Sequence, residues 1–216
     1  MQLSEHTLPS ILRGVDVTAR ALPLVPELKL FLLPDDYPTY NLGAEDYQRL
    51  MENPPYWAYC WGGGQALARW LLNNKRVLAG RRVVDFGAGS GVAGIAAALA
   101  GAAEVVAVDI DRDALQVCAA NARLNSVQIR TESHYVPSPQ SLMLAADVCY
   151  ECDGFETVIC HLQAGGDLLV AESRLRNLSD RWPKLTKTAE FRIRTYPDLD
   201  ESERYDRVDV YSTLNV

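Results

Sequence analysis

The sequence of 216 residues has few of the side chains that build disulfide frameworks and metal centres. It contains five cysteines, an odd number without framework spacing, and three histidines. This cysteine usage is typical of reduced thiols in an intracellular compartment, and we expect the protein to be cytoplasmic. His134 and His161 lack ligand-like spacing, so no metal site is expected.

Positive charge is also scarce. Lysine and arginine number 21 against 28 acidic residues, which gives a net charge of −7. This balance disfavours a protein that grips the phosphate backbone of nucleic acid. The basic residues between 174 and 187 are interpreted as a solvated surface.

Long apolar runs are missing as well. The longest uncharged stretch, residues 86–103, contains five glycines and is otherwise rich in alanine. It is too weakly apolar for a bilayer. The first thirty residues contain charges and prolines where a signal peptide would have an apolar core. We therefore expect no membrane association.

The length suits one domain with a short extension. We predict an N-terminal extension or cap over residues 1–55 and the main domain over residues 56–216. Within the extension, residues 27–33 alternate as a strand, with Leu28, Leu30 and Leu32 on one face. A short helix is predicted at residues 44–52.

Strand and helix patterns alternate between residues 56 and 173, which is the signature of an α/β domain with a mostly parallel sheet. The predicted strands are 81–86, 104–109, 127–131, 144–149 and 167–171, and the predicted helices are 64–74, 92–100, 112–124 and 154–162. Residues 191–196 and 207–213 then alternate in steps of two, which predicts a β-hairpin. We expect the sheet to end in this antiparallel hairpin, with helices on both faces.

The strongest local signal is the segment VVDFGAGSG, residues 83–91. A buried strand containing Asp85 leads into Gly87, Gly89 and Gly91, directly before a helix. Glycine permits positive φ and close approach of a ligand, and a helix N-terminus offers free N–H groups. Asp109 ends the next strand, where a carboxylate can accept hydrogen bonds from two ribose hydroxyls. Together these features predict an adenosine-containing cofactor at the carboxyl ends of parallel strands.

The glycine pattern alone does not identify the cofactor, because Gly89-x-Gly91-x-x-Gly94 also satisfies the dinucleotide fingerprint. Asp85, two residues before the first glycine, is placed to hold a cationic amino group, which S-adenosylmethionine has and NAD lacks. The spacing from Gly94 to Asp109 is shorter than the usual ~20 residues. The chain after Asp109 also leaves little room for a dehydrogenase substrate domain.

Three further segments carry a resemblance to a known family. They are PPYWAYCWGGGQALARWLL at residues 54–72, VDIDRDALQVCAANARLN at residues 108–125 and DVCYE at residues 147–151. With the glycine loop, they resemble the class I seven-stranded S-adenosylmethionine-dependent methyltransferases, and most closely the electron-transfer-flavoprotein β-subunit lysine methyltransferases. The resemblance implies a Rossmann-like seven-stranded sheet and S-adenosyl-L-methionine as cofactor.

The resemblance also implies roles for individual residues. Asp147 and Tyr150, of the Asp-x-x-Tyr motif, are expected in the acceptor pocket. Asp147 would orient the charged lysine, and the Tyr150 ring would close over its aliphatic stem. Trp61 and Gln65 are expected to line the cofactor, and Glu132 is a candidate for the adenine edge.

The motif also explains the spacing of Cys149 and Cys152, which copies a redox pair. A redox or zinc role is not expected for these cysteines, because the two residues between them belong to the methyltransferase motif.

Three functions remain open at this point. The first is a protein-lysine N-methyltransferase, with the flavoprotein β-subunit or a similar small protein as acceptor. The second uses the same cofactor on a small molecule, such as nicotinamide, another pyridine or an amine. The third is a non-catalytic binding module that retains the fold. The sequence does not indicate the oligomeric state.

Overall fold

The computed structural model describes residues 17–35, 48, 52, 54–150 and 152–214. The N-terminal part contains an antiparallel hairpin of β1 (Thr18–Ala21) and β2 (Lys29–Leu32). The predicted strand at residues 27–33 is confirmed by β2. The helix predicted at residues 44–52 lies almost entirely outside the described residues.

A seven-stranded sheet forms the centre of the fold, in the spatial order β5-β4-β3-β6-β7-β9-β8. Its strands are β3 (Arg82–Phe86), β4 (Glu104–Val108), β5 (Arg130–Glu132), β6 (Ser141–Ala146), β7 (Asp167–Glu172), β8 (Thr186–Arg192) and β9 (Arg207–Ser212). Strands β3 to β7 pair in parallel, and β9 runs antiparallel to both β7 and β8. The expected mostly parallel sheet with an antiparallel C-terminal hairpin is confirmed.

Helices cover both faces of this sheet. They are α1 (Gly62–Asn73), α2 (Val92–Leu99), α3 (Arg112–Leu124), α4 (Cys152–Gln163) and the short α5 (Leu178–Arg181). Leu142 and Leu144 of β6 face the cluster that includes α1 and α2, whereas Met143 and Ala145 face the cluster with Val158 of α4. A strand buried on both sides reads as a continuous apolar run, as the SLMLAA of β6 does.

The N-terminal hairpin packs against the main domain on both of its sides. Leu28 and Leu30 join the core cluster that contains Leu67 of α1. Phe31 packs on the opposite side with Trp57, which lies in a 3₁₀ turn over Tyr56–Ala58. The division of the chain at residue 55 stays a prediction.

The first strand of the C-terminal hairpin lies earlier than the alternation predicted. It spans Thr186–Arg192 instead of residues 191–196. A register shift between Lys187 and Ala189 interrupts the alternation in the first part of this strand, so the sequence pattern did not indicate that part. Residues beyond Arg192 leave β9, and Tyr196 instead pairs with Cys60, just before α1. The N–H groups of Cys60 and Tyr196 donate to each other's carbonyls at 2.7 and 2.9 Å. This pairing carries the β8–β9 connection toward the start of α1.

Asp209 joins the two strands of the hairpin from a buried position on β9, where it is only 1% exposed. Its carboxylate accepts a hydrogen bond from Lys187 at 2.7 Å and two from Arg207 at 3.1 Å each. Burial raises the pKa of Asp209, but these cations outweigh it and hold the pKa below its usual value.

Among the described residues, no helix combines the length and the apolar character needed to cross a membrane. The same part of the chain contains no group of three or more acidic, cysteine and histidine side chains arranged to hold a metal ion.

Candidate active site

The carboxyl ends of the parallel strands bring the predicted carboxylates to one edge of the sheet. Asp85 lies near the end of β3, and Asp109 and Asp147 directly follow β4 and β6. β3 is the centre of this arrangement because it pairs with both β4 and β6. In open α/β sheets, ligands bind in the crevice at this edge.

The glycine loop after β3 has the conformation that its sequence predicts. Gly87, Gly89 and Gly91 have φ values of 66°, 50° and 81°, which side-chain-bearing residues rarely adopt. A Cβ atom at Gly87 would lie 2.5 Å from Val148, and one at Gly91 would lie 2.5 Å from Cys118. A Cβ atom at Gly89 would approach nothing more closely than the Trp57 Cα, at 3.9 Å. The loop is therefore closely packed at Gly87 and Gly91 and has open space at Gly89.

Asp85 is buried beneath the start of α2. It is 3% exposed, and its Oδ2 accepts a hydrogen bond from the Gly94 N–H at 2.8 Å. Burial raises the pKa of Asp85 to about 7, opposed by the Gly94 hydrogen bond and assisted by the negative charge of Asp109. A cation that arrived beside Asp85 would favour its ionised form.

Asp109 fixes the glycine loop from the neighbouring strand. Its Oδ2 accepts from the Gly89 N–H at 2.8 Å, and its Oδ1 accepts from the Asp111 N–H at 3.0 Å. Burial raises its pKa as well. Because each carboxylate oxygen has two lone pairs, both oxygens can accept one further hydrogen bond, as a pair of ribose hydroxyls requires.

Two residues beside Asp109 extend this side of the site. Ile110 is 93% exposed, which places an apolar side chain on the surface next to a carboxylate. Glu132, predicted at the adenine edge, is exposed at the end of β5, and its carbonyl accepts from the Asp109 N–H at 3.2 Å. Ile110 was not predicted, although an isoleucine between two aspartates after a buried strand is a usable signal.

Asn121 is a second residue that the sequence did not single out. It is completely buried in α3, where its Oδ1 accepts from the Phe31 N–H and its Nδ2 donates to the Ser90 carbonyl, both at 2.8 Å. One side chain thus joins the N-terminal hairpin to the glycine loop. The only sequence signal was the asparagine-rich character of this helix.

The Trp-Gly-Gly-Gly-Gln segment forms the first turn of α1. Its glycines are required by close packing: Cβ atoms at Gly62 and Gly64 would lie 2.9 Å from the Ile193 carbonyl and 2.7 Å from Val92. A Cβ atom at Gly63 would clash with the Asp147 carboxylate. The glycine run therefore allows α1 to approach β6, α2 and the β8–β9 connection.

Trp61 and Gln65 lie at the two ends of this turn and have different environments. Trp61 is half-buried, and its Nε1 donates to the Tyr56 carbonyl at 3.0 Å. Gln65 is completely buried; its Nε2 donates to the Arg194 carbonyl at 2.9 Å, and its Oε1 accepts from the Leu24 N–H at 3.4 Å. Direct contact of Gln65 with a cofactor stays a prediction, and its hydrogen bonds brace three distant parts of the chain.

Asp147 connects three segments at the acceptor side. It has a φ of 51° and is 8% exposed. Its Oδ2 accepts from the Gly63 N–H at 2.7 Å, and its Oδ1 accepts from the N–H and hydroxyl of Ser173 at 2.7 and 2.8 Å. Burial raises the pKa of Asp147 above its usual value, and these hydrogen bonds and the charge of Arg174 oppose the rise without cancelling it. Three of about four acceptor positions are filled, so Oδ2 retains one.

Behind Asp147 lies a second carboxyl group, which sequence reasoning missed. Glu172, at the end of β7, is completely buried, and its Oε1 accepts from the Cys149 N–H at 2.9 Å. Its Oε2 is buried without a hydrogen-bond partner among the described residues. Burial and the negative charge of Asp147 raise the pKa of Glu172. Asp147 accepts three hydrogen bonds and Glu172 accepts one, so Glu172 is the member of the pair that retains a proton.

The four cysteines whose side chains are described are all free, and Cys149 is buried. Burial raises the pKa of Cys149, with Glu172 adding to the effect. A thiol in this state is a poor nucleophile and a poor metal ligand.

Solved structures of methyltransferases share this fold. A Pyrococcus horikoshii protein provisionally named an RNA methyltransferase is 18% identical, with a TM-score of 0.50 over 69% of this chain and 79% of its own. A Streptococcus mutans protein provisionally named a S-adenosylmethionine-dependent methyltransferase is 11% identical, with a TM-score of 0.50 over 69% of this chain and 48% of its own. The chain therefore has the Rossmann-like methyltransferase fold.

Sequence comparisons lead to a narrower group. A profile of the ribosomal protein L11 methyltransferase family matches residues 67–162, which include the glycine loop and the Asp-x-x-Tyr motif. Two curated relatives are named electron transfer flavoprotein β-subunit lysine methyltransferase. The one from Danio rerio is 47% identical over 104 residues, which cover 48% of this chain and 39% of the relative. The one from Xenopus laevis is 37% identical over 136 residues, which cover 61% of this chain and 54% of the relative.

These comparisons confirm the resemblance that the sequence motifs predict. The matched part of the chain spans between about two fifths and about half of the length of these two relatives.

Proposed function

We propose that the chain is a S-adenosylmethionine-dependent protein-lysine N-methyltransferase that acts on the β-subunit of electron transfer flavoprotein or a similar small protein. The observation that carries the proposal is a set of three carboxylates anchored by backbone N–H groups around one glycine loop. Asp85, Asp109 and Asp147 receive these bonds from Gly94, Gly89 and Gly63. The names of the relatives support lysine as the acceptor.

The residues of the glycine loop fit the proposed cofactor. When bound, S-adenosylmethionine supplies a methyl group on a positively charged sulfur, which a neutral amine accepts by in-line displacement. Asp85 would hold the amino group of its methionine part, and the remaining acceptor positions of Asp109 would bind the ribose hydroxyls. The open space at Gly89 leaves the backbone accessible between them. Trp61 and Glu132 would flank the adenosine.

The acceptor side has to bind the lysine ammonium group and allow its deprotonation, because only the neutral amine accepts a methyl group. With a reference pKa of ~10.4, a lysine costs roughly 4 to 5 kcal/mol to deprotonate at pH 7. Burial of the ammonium in the cleft lowers its pKa, whereas the carboxylate of Asp147 raises it. The free position on Oδ2 of Asp147 therefore attracts and orients the amine, and Tyr150 covers its aliphatic stem.

Two further assignments belong to this proposal. We propose a protein acceptor rather than nucleic acid, because the net charge of −7 opposes phosphate backbones. For the compartment we propose the cytoplasm, on the basis of the free cysteines.

The function is tested by incubating the chain with isotope-labelled S-adenosylmethionine and the purified flavoprotein β-subunit, followed by mass spectrometry of lysines. We expect methylated lysine with the native chain and none with Asp147→Ala, while calorimetry shows that the variant still binds S-adenosylhomocysteine. Glu104→Gln is the control, because Glu104 is exposed at the start of β4, the end of the strand opposite to the site. Label recovered in small metabolites would refute the proposal of a protein acceptor. Failure of the native chain to bind S-adenosylhomocysteine would refute the proposal that it is a methyltransferase.

A further inference from the structure

Beside Asp147, three aromatic rings surround one cation of the protein itself. The Arg174 guanidinium carbon lies 4.5 Å from the ring centroid of Tyr205, 5.6 Å from that of Tyr150 and 5.7 Å from that of Trp61. All three distances are within the range of about 6 Å for cation–π attraction. We call these three rings the aromatic cage, which shares the Trp61 ring with the proposed cofactor site.

A carboxylate completes the cage. Glu201 Oε1 accepts from Arg174 Nη2 at 2.6 Å, and the two side chains are only 23% and 25% exposed. The other oxygen of Glu201 accepts from the Thr195 hydroxyl at 2.7 Å. Glu201 is therefore held in place from its far side, which distinguishes it from a mobile surface partner.

The cage adjoins the site proposed for the acceptor. Arg174 directly follows Ser173, whose N–H and hydroxyl both donate to Asp147. Tyr150 belongs to the same motif as Asp147 and is the ring proposed to cover the acceptor's stem. The Arg174 guanidinium thus already contacts the ring that an incoming lysine would need.

Aromatic faces and a carboxylate attract any suitably placed cation. A lysine ammonium and the Arg174 guanidinium would therefore compete for the aromatic cage and Glu201. We propose that Arg174 is an internal occupant of the acceptor cage, which the ammonium group of the substrate lysine displaces. This inference rests on the proposed function. Because only a cation can replace Arg174 in the cage, the acceptor must carry a positive charge when it binds, and neutral pyridines and hydroxyls are excluded as acceptors. Methylated lysines keep their charge and are admitted.

Binding of Nα-acetyl-lysine amide in the presence of S-adenosylhomocysteine tests the proposal without methyl transfer. Arg174→Gln removes the competitor, and we expect about tenfold tighter binding, as loss of a partly desolvated cation–π contact predicts. Nα-acetyl-norleucine amide, the uncharged analogue, should bind equally weakly to both forms. Arg192→Gln is the matched control, because Arg192 is exposed at the end of β8 and outside the cage.

A second measurement uses the unaltered protein. Three rings around Arg174 shift the NMR signals of its side chain, and the lysine amide should return them toward their ordinary positions. Unchanged Arg174 signals at saturation, or weaker lysine-amide binding by a folded Arg174→Gln variant, would make Arg174 a fixed wall and overturn the proposal. Displacement of Arg174 without methylation of the flavoprotein subunit would leave this inference intact and refute the named substrate.

Discussion

Replacing Asp85 by asparagine separates the energetic cost of a buried charge from the proposed contact with the cofactor. Asp85 is 3% exposed, and burial raises its pKa from 3.8 to about 7. Within the protein, the Asp85 carboxylate accepts a hydrogen bond from the Gly94 N–H. An asparagine carbonyl can accept the same bond, so the variant removes the charge and keeps the local geometry.

The pKa difference sets the sign and the size of the effect. Below pH 3.8, Asp85 is neutral in the folded and the unfolded chain, and it makes no contribution. Between pH 3.8 and 7, only the unfolded chain releases the proton, so stability falls as pH rises; above pH 7 the loss is complete. A shift of about three pKa units at 1.36 kcal/mol per unit amounts to about 4 kcal/mol. Asp85→Asn should therefore stabilise the protein at pH 8.

Urea unfolding at two pH values measures this gain. We expect the stabilisation by Asp85→Asn to be about 2 kcal/mol larger at pH 8 than at pH 5.5, because only about half of the loss has accumulated at pH 5.5 and all of it at pH 8. Asp200→Asn, at an exposed position, should show no such difference. The stabilised variant should lose affinity for S-adenosylhomocysteine in calorimetry. A variant less stable than the native protein at pH 8 would refute the reasoning.

Three further variants test the framework by urea unfolding. Gly63→Ala places a Cβ against Asp147, and we expect a loss of about 1–3 kcal/mol; an unchanged midpoint would mean that α1 can shift. Asn121→Ala leaves two buried backbone groups without partners and should cost about 2–4 kcal/mol; a loss below 1 kcal/mol would contradict that. Asp209→Asn should cost about 2 kcal/mol at pH 7, and less as pH falls through the lowered pKa of the native carboxyl; an effect independent of pH would exclude the ion pairs as its cause.

Local patterns were sufficient for most of the sheet because each strand and helix carries its own period. The prediction of α3 at residues 112–124 matches its observed bounds, since its apolar positions and the cap at Asp111 are both local. The pattern placed β8 too late because the bulge near Lys187 breaks the alternation that the prediction relied on. A bulge is set by pairing with another strand and leaves no regular sequence signal.

The site was predictable where its residues lie at the end of a strand beside the glycine loop, as Asp85 and Asp109 do, and the family resemblance added Asp147. The partners of these residues were not predictable, because they come from distant segments. Asp147 is 84 positions from Gly63, and Gln65 is 129 positions from Arg194. Residue type and spacing identify Asp85 and Asp109, and the resemblance identifies Asp147, whereas the hydrogen bonds of all three depend on the packing of the finished fold.

The contact between β2 and Asn121 has a consequence for any shortened form of the protein. A fragment that started at residue 56 would keep every residue proposed to touch the cofactor. It would nevertheless lose the Phe31 N–H that fixes Asn121, and with it the neighbouring support of Ser90. We therefore expect a stable fragment to require the β1–β2 hairpin, even though that hairpin supplies none of the proposed site residues.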